Sequence, residues 1–140
     1  MAERFYEILE HTADIRIRVK AQDLAALFTR AAAAMFDIIA EKRSGKSVER
    51  RELKVVQEAQ SLEELFINWL NELLSLASVG QQIFTDFLID KIDEGRVEAR
   101  VMAESAGCYK VNKEIKAATY HQLQVLRTGD GWKAEVIFDV

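Results

Sequence analysis

Gly129-Asp130-Gly131-Trp132-Lys133-Ala134-Glu135-Val136-Ile137-Phe138-Asp139-Val140 closes the chain. A Gly-Asp-Gly turn opens this stretch. Strict alternation follows, with Trp132, Ala134, Val136 and Phe138 on one face and Lys133, Glu135, Ile137 and Asp139 on the other. Tyr120 to Arg127, just before the turn, also reads as a strand, so two strands meet at a tight turn. The apolar pattern runs to the last residue, where the Asp139 side chain stands beside the carboxylate of Val140. Oxygen donors of this kind suit calcium, magnesium or manganese rather than zinc. The ordinary alternative is a frayed, solvated chain end.

The rest of the second half repeats the antiparallel theme. Ile83 to Ile92, the turn Asp93-Glu94-Gly95, and the alternating Val97, Ala99, Val101 and Ala103 predict a hairpin. In the first half, Arg4 to Leu9 is a short strand and His11 to Asp14 a polar break. Ile15, Ile17 and Val19 then face a core while Arg16, Arg18 and Lys20 face water, as solvated surface in the usual reading. Val48 to Gln57 reads as a charged strand at a sheet edge.

Two amphipathic helices interrupt the strands. Asp23 is a good N-cap for a helix from Leu24 to about Ala40, carrying Leu24, Leu27, Phe28, Ala31, Met35 and Ile38 at helical spacing. Ser61 and Glu64 form a capping-box pattern. The helix they open presents Leu62, Leu65, Phe66, Trp69, Leu70, Leu73, Leu74 and Ala77 on one face and ends at Gly80. Trp69 is expected in the core. Lys42 to Lys46 and Ser105 to Asn112 read as loops, and Lys113 to Thr119 as a short helix or a bend. The class is therefore α+β: mostly antiparallel sheets form a sandwich-like core, with the two helices covering one face of the sheet. No repeat or linker divides the chain, so residues 1–140 are read as one domain.

The bulk numbers narrow the function classes. The 140 residues suffice for a core without staples. A formal net charge of -4 argues against bulk capture of nucleic acid or anionic membrane, while leaving room for a local basic patch. The single cysteine, Cys108, excludes an intrachain disulfide and fits a reducing compartment. The N-terminus lacks a signal-peptide apolar core, and Ala31 to Ala40 is too short to span a bilayer. A cytoplasmic protein with no membrane partner is the expectation. With no proline in the chain, its turns fall to Gly, Asp, Asn and Ser.

Few residues offer chemistry. Asp14, at a strand mouth, is a turn-forming residue bonding its own backbone or a hard-cation ligand, and the first is the commoner use. Lys116 can act as a compact point charge toward a phosphate or carboxylates. His121 can be a base, a ligand or a packed side chain. The two histidines, His11 and His121, and Cys108 make no zinc motif, and there is no phosphate-cradling glycine loop, nucleophile elbow or HExxH helix. Cys108 reads as a plain half-buried cysteine.

Three stretches together resemble the archease family: His11-Thr12-Ala13-Asp14, then Glu114-Ile115-Lys116-Ala117 running to Thr119-Tyr120-His121, and Phe138-Asp139-Val140. The length and the order of helices among strands also match. Ala118 departs from the valine or other β-branched residue expected there. The resemblance implies a non-catalytic accessory protein of the RtcB-type RNA ligase. That ligase joins a 2',3'-cyclic phosphate or 3'-phosphate end to a 5'-hydroxyl in tRNA splicing, after taking GMP onto a histidine. The family protein speeds guanylylation, supports multiple turnover and loosens nucleotide choice, so RNA would be reached indirectly through the ligase. It further implies that Asp14, Asp139 and the Val140 carboxylate are metal ligands and that Lys116 belongs to the ligase-activating surface. His11 and His121 lie in the matched motifs. Rival readings are a stand-alone metal-dependent hydrolase or nucleotidyltransferase, and a chaperone-like binding module with a structural metal.

Overall fold

A computed structural model describes residues 5–11, 14–43 and 49–140, the side chains of residues 10 and 11 excepted. The expected Thr12-Ala13 break, the His11 side chain and the centre of the Lys42–Lys46 loop lie outside the described residues.

The elements run β1 (Glu7–His11), β2 (Asp14–Ala21), α1 (Leu24–Ile39), β3 (Ala40–Lys42), β4 (Arg51–Glu58), α2 (Leu62–Gly80), β5 (Gln82–Ile92), β6 (Arg96–Ser105), β7 (Tyr109–Val111), β8 (Ala117–Thr128) and β9 (Gly131–Asp139). A 3-10 turn, Ala106–Cys108, lies between β6 and β7. The strands form a four-stranded sheet β1-β2-β9-β8, a three-stranded sheet β4-β6-β5 and a two-stranded ribbon β3-β7, all antiparallel. The α+β class and the mostly antiparallel pairing follow the patterns read from the sequence.

Local chemistry explains the helix ends. The Asp23 carboxylate accepts the Ala26 N–H at 2.8 Å, satisfying one of the donors that α1 leaves open at its start. Ser61 Oγ accepts the Glu64 N–H at 3.2 Å, but Glu64 reaches back to the Gln60 N–H rather than to that of Ser61, so the box is one residue looser than expected. Gly80 is still helical. The turn out of α2 is made by Gln81 in a left-handed conformation, φ 52°, which most side chains avoid.

The helices do not cover one face of a single sheet. α1 packs on β2 and β9 of the first sheet and on β5 of the second, and α2 packs on β8 of the first and on β4, β5 and β6 of the second. Each apolar helix thus serves both sheets, which is why α1 is buried along so many positions, including Ala32, Ala34 and Phe36 outside the expected stripe. The helices meet through an edge-to-face pair, Phe28 and Phe66, at 5.3 Å between ring centres. Trp69 is fully buried and its indole N–H donates to the Phe28 carbonyl at 3.0 Å, which confirms it as core.

Three segments differ from expectation. Lys42 belongs to strand β3, and Tyr109–Val111, expected in a loop, pairs with it. Residues 113–116 form neither a helix nor a bend, and the following strand starts at Ala117. That strand carries a wide bulge: Thr119 pairs with Ile137 and Gln124 with Glu135, so Tyr120 to Leu123 stand against Val136 alone, with Gln122 at φ 53°. Among the described residues no helix is long and apolar enough to cross a membrane.

Candidate metal centre

The alternation of β2 sets which residues share a face. Ile15, Ile17 and Val19 are buried, so Asp14, Arg16, Arg18 and Lys20 lie on the opposite face. β9 runs antiparallel beside it, and the register pairs Asp14 with Asp139, Arg16 with Ile137, Arg18 with Glu135 and Lys20 with Lys133. Residues directly opposite in an antiparallel pair project their side chains to the same side, with Cβ atoms about 5 Å apart. The two aspartates, 125 positions apart in the chain, therefore meet at one end of the first sheet. Both are exposed. Among the described residues neither has a cationic side chain as partner.

On the far side of β9 the same sheet end is completed by β8. Ala117 pairs with Asp139, and the Lys116 N–H donates to the Asp139 carbonyl at 2.8 Å. The Lys116 side chain is exposed, while its neighbour Ile115 is buried. Val140 is half-buried, with its side chain against the core, so the last residue is held rather than frayed. Asp14, Lys116, Asp139 and Val140 are thus adjacent in the fold. His11 pairs through its backbone with Ile15, one position from Asp14. His121 is displayed in the β8 bulge, exposed, and does not join the aspartates. Among the described residues no three side chains of His, Cys, Asp or Glu gather as a metal cluster.

The fit to a cation rests on the donor set. Two carboxylates placed directly opposite repel one another, and a hard divalent ion is the counter-charge for which such oxygens are suited. Among the described residues these two are the side-chain ligands, so the remaining donors would be the Val140 carboxylate, backbone carbonyls or water.

Farther along the same face lies a site that the sequence reading missed. Glu135 is only 3% exposed, although alternation placed it on the solvent side. It accepts hydrogen bonds from Arg16 Nη2 at 2.6 Å and Arg18 Nε at 2.9 Å, with Lys133 Nζ at 3.8 Å. Burial pushes its carboxyl upward, but the hydrogen bonds and charges of Arg18 and Arg16 outweigh that and hold it below the usual glutamate range. The second buried carboxylate, Glu104, accepts from Tyr109 Oη at 2.9 Å and Arg50 Nε at 2.9 Å, with Lys42 Nζ at 3.3 Å. Burial again opposes ionisation, and the Tyr109, Lys42 and Arg50 donors lower its pKa despite it. Burial and the carboxylate together push the Tyr109 phenol up to about 12. Strand neighbours decide both clusters, and spacing along the chain does not reveal which strands are neighbours. Cys108 is a free, half-buried thiol.

A model of the Archease protein family matches residues 6–140. The chain belongs to the archease family. "Protein archease" of Methanosarcina acetivorans is 38% identical over 141 residues, covering 96% of this chain and 95% of the relative. The solution structure of Methanobacterium thermoautotrophicum protein 1598 superposes with a TM-score of 0.73 at 27% identity, covering 99% of this chain and 100% of that one. The crystal structure of an archease from Thermotoga maritima, described as a possible chaperone, superposes with a TM-score of 0.63 at 25% identity over 96% of each chain. The archease match takes in all three stretches singled out by sequence, and the fold likeness extends over both sheets and both helices.

Proposed function

We propose that this archease-family chain is a non-catalytic accessory protein that activates an RtcB-type RNA ligase, and that the sheet end carrying Asp14, Asp139, Val140 and Lys116 is its working surface. The observation that supports this reading is the register pairing of Asp14 with Asp139, with Lys116 tied to the Asp139 carbonyl. Guanylylation of a ligase handles nucleotide phosphates, where a divalent ion neutralises developing charge. On this reading the Asp14, Asp139 and Val140 carboxylates would hold calcium, magnesium or manganese, and Lys116 would supply a point charge toward phosphate. The same surface activates equally well by binding the competent state of the ligase more tightly than the incompetent one. RNA is engaged through the ligase, in keeping with the acidic net charge.

The test is the guanylylation rate of the ligase with and without this protein. Asp14→Ala and Asp139→Ala should abolish stimulation while the circular dichroism spectrum stays that of the wild type and the melting temperature does not fall. Full stimulation by either variant overturns the reading. An extension beyond Val140 should weaken both cation binding and stimulation, whereas an N-terminal extension should be tolerated better.

A further inference from the structure

β8 is an edge strand of the four-stranded sheet, so on the side away from β9 its N–H and C=O groups have no strand partner. At Ala118 both are satisfied by one side chain. Asn71, half-buried on α2, donates Nδ2–H to the Ala118 carbonyl at 3.1 Å and accepts the Ala118 N–H on Oδ1 at 2.7 Å. An amide side chain carries one donor group and one acceptor in the spacing of a peptide, so it substitutes for the missing strand.

The position of this clamp matters. Ala118 follows Ala117, which pairs with Asp139, and lies two residues from Lys116, whose N–H holds the Asp139 carbonyl. Just upstream the chain lies outside any strand, fastened by the Asn112 and Lys113 N–H groups to the Ile39 carbonyl, at 2.7 and 3.2 Å, and by the buried Ile115. Cavities of about 440 and 400 Å³ flank Ile115. Downstream, regular pairing breaks after Thr119. Ala117 to Thr119 is therefore a three-residue stretch of ladder between irregular segments, and Asn71 ties its outer edge to α2.

We infer that Asn71 is a positioning residue for the Asp14–Asp139–Val140 site: through Ala118 it holds Lys116, and through the Lys116 N–H it holds the end of β9 in register. The link from position to cation binding rests on the function proposed above. The link from Asn71 to Lys116 does not.

The experiment compares Asn71→Leu, which fills similar space but bonds neither backbone group, with Asn71→Ser, which is too short to bond both. Val55→Ala, in β4, serves as a destabilised control. Amide hydrogen exchange and calcium titration are measured on the full chain. Exchange at Lys116 should accelerate at least tenfold in the Asn71 variants relative to Val136, and calcium affinity should fall by about tenfold. The control should lower the melting temperature without moving affinity. Wild-type exchange at Lys116 in a folded Asn71 variant overturns the inference, as does a cation affinity equal to wild type. If the wild-type protein binds no calcium while Lys116 exchange still responds to Asn71, the clamp stands as a positional device and the metal reading falls. If Asn71→Leu does not fold, Asn71→Ser carries both readouts.

Discussion

Glu135 shows how a single residue ties the outer face of β2 and β9 together. Its carboxylate is buried, and Arg16 and Arg18 of the neighbouring strand both bond it. Because its folded pKa is depressed, the stability it contributes is present above the unfolded glutamate value and is lost as the pH falls through the folded one. Glu135→Gln removes that charge and takes away the carboxylate that Arg16 and Arg18 share, which should cost about 2 kcal/mol at neutral pH after allowance for the partly exposed guanidiniums. The same variant should lose less stability than wild type on acidification from pH 6 to pH 3. Urea unfolding at the two pH values measures this, and parallel losses in both proteins would contradict it. Glu104 adds to the acid sensitivity in the same direction, since its pKa is lowered as well.

At the scale of elements, the turn out of α2 is a weak point. Gln81 sits at φ 52°, where glycine carries no steric penalty. Gln81→Gly should stabilise the protein by about 0.5–1 kcal/mol, provided the gain at this left-handed position exceeds the added freedom of the unfolded chain. A lower melting temperature for this variant would count against strain there. Both helices and the β5–β6 hairpin were legible in the sequence because their signals are local: Asp23 and Ser61 cap where their side chains indicate, and Asp93 Oδ1 accepts the Gly95 N–H at 2.8 Å in the turn. The β3–β7 ribbon was not legible, because each strand has only three residues, too few for an alternation to stand out. Nor was the start of β8, since Ala117 and Ala118 owe their strand conformation to Phe138, Asp139 and Asn71, all remote in sequence.

At the scale of the whole molecule, two sheets share two helices, and the acidic end of one sheet gathers the stretches by which the sequence resembles the archease family. The pairing of Asp14 with Asp139 brings together the first and last of these stretches, and Lys116 from the middle one joins them. The candidate site was thus legible residue by residue through the resemblance, while the clusters around Glu135 and Glu104 were not, because they depend on strand order. Two like charges directly opposite also carry a cost in the folded state. Replacing one by asparagine should raise the melting temperature in chelator by about 1–4 °C, while removing any gain from added cation. The most direct measurement of the central claim is a calorimetric titration of calcium into the wild-type protein and into Asp14→Asn. The account predicts one site in the wild type and none in the variant. Equal binding by both proteins, or no binding by the wild type, would contradict it.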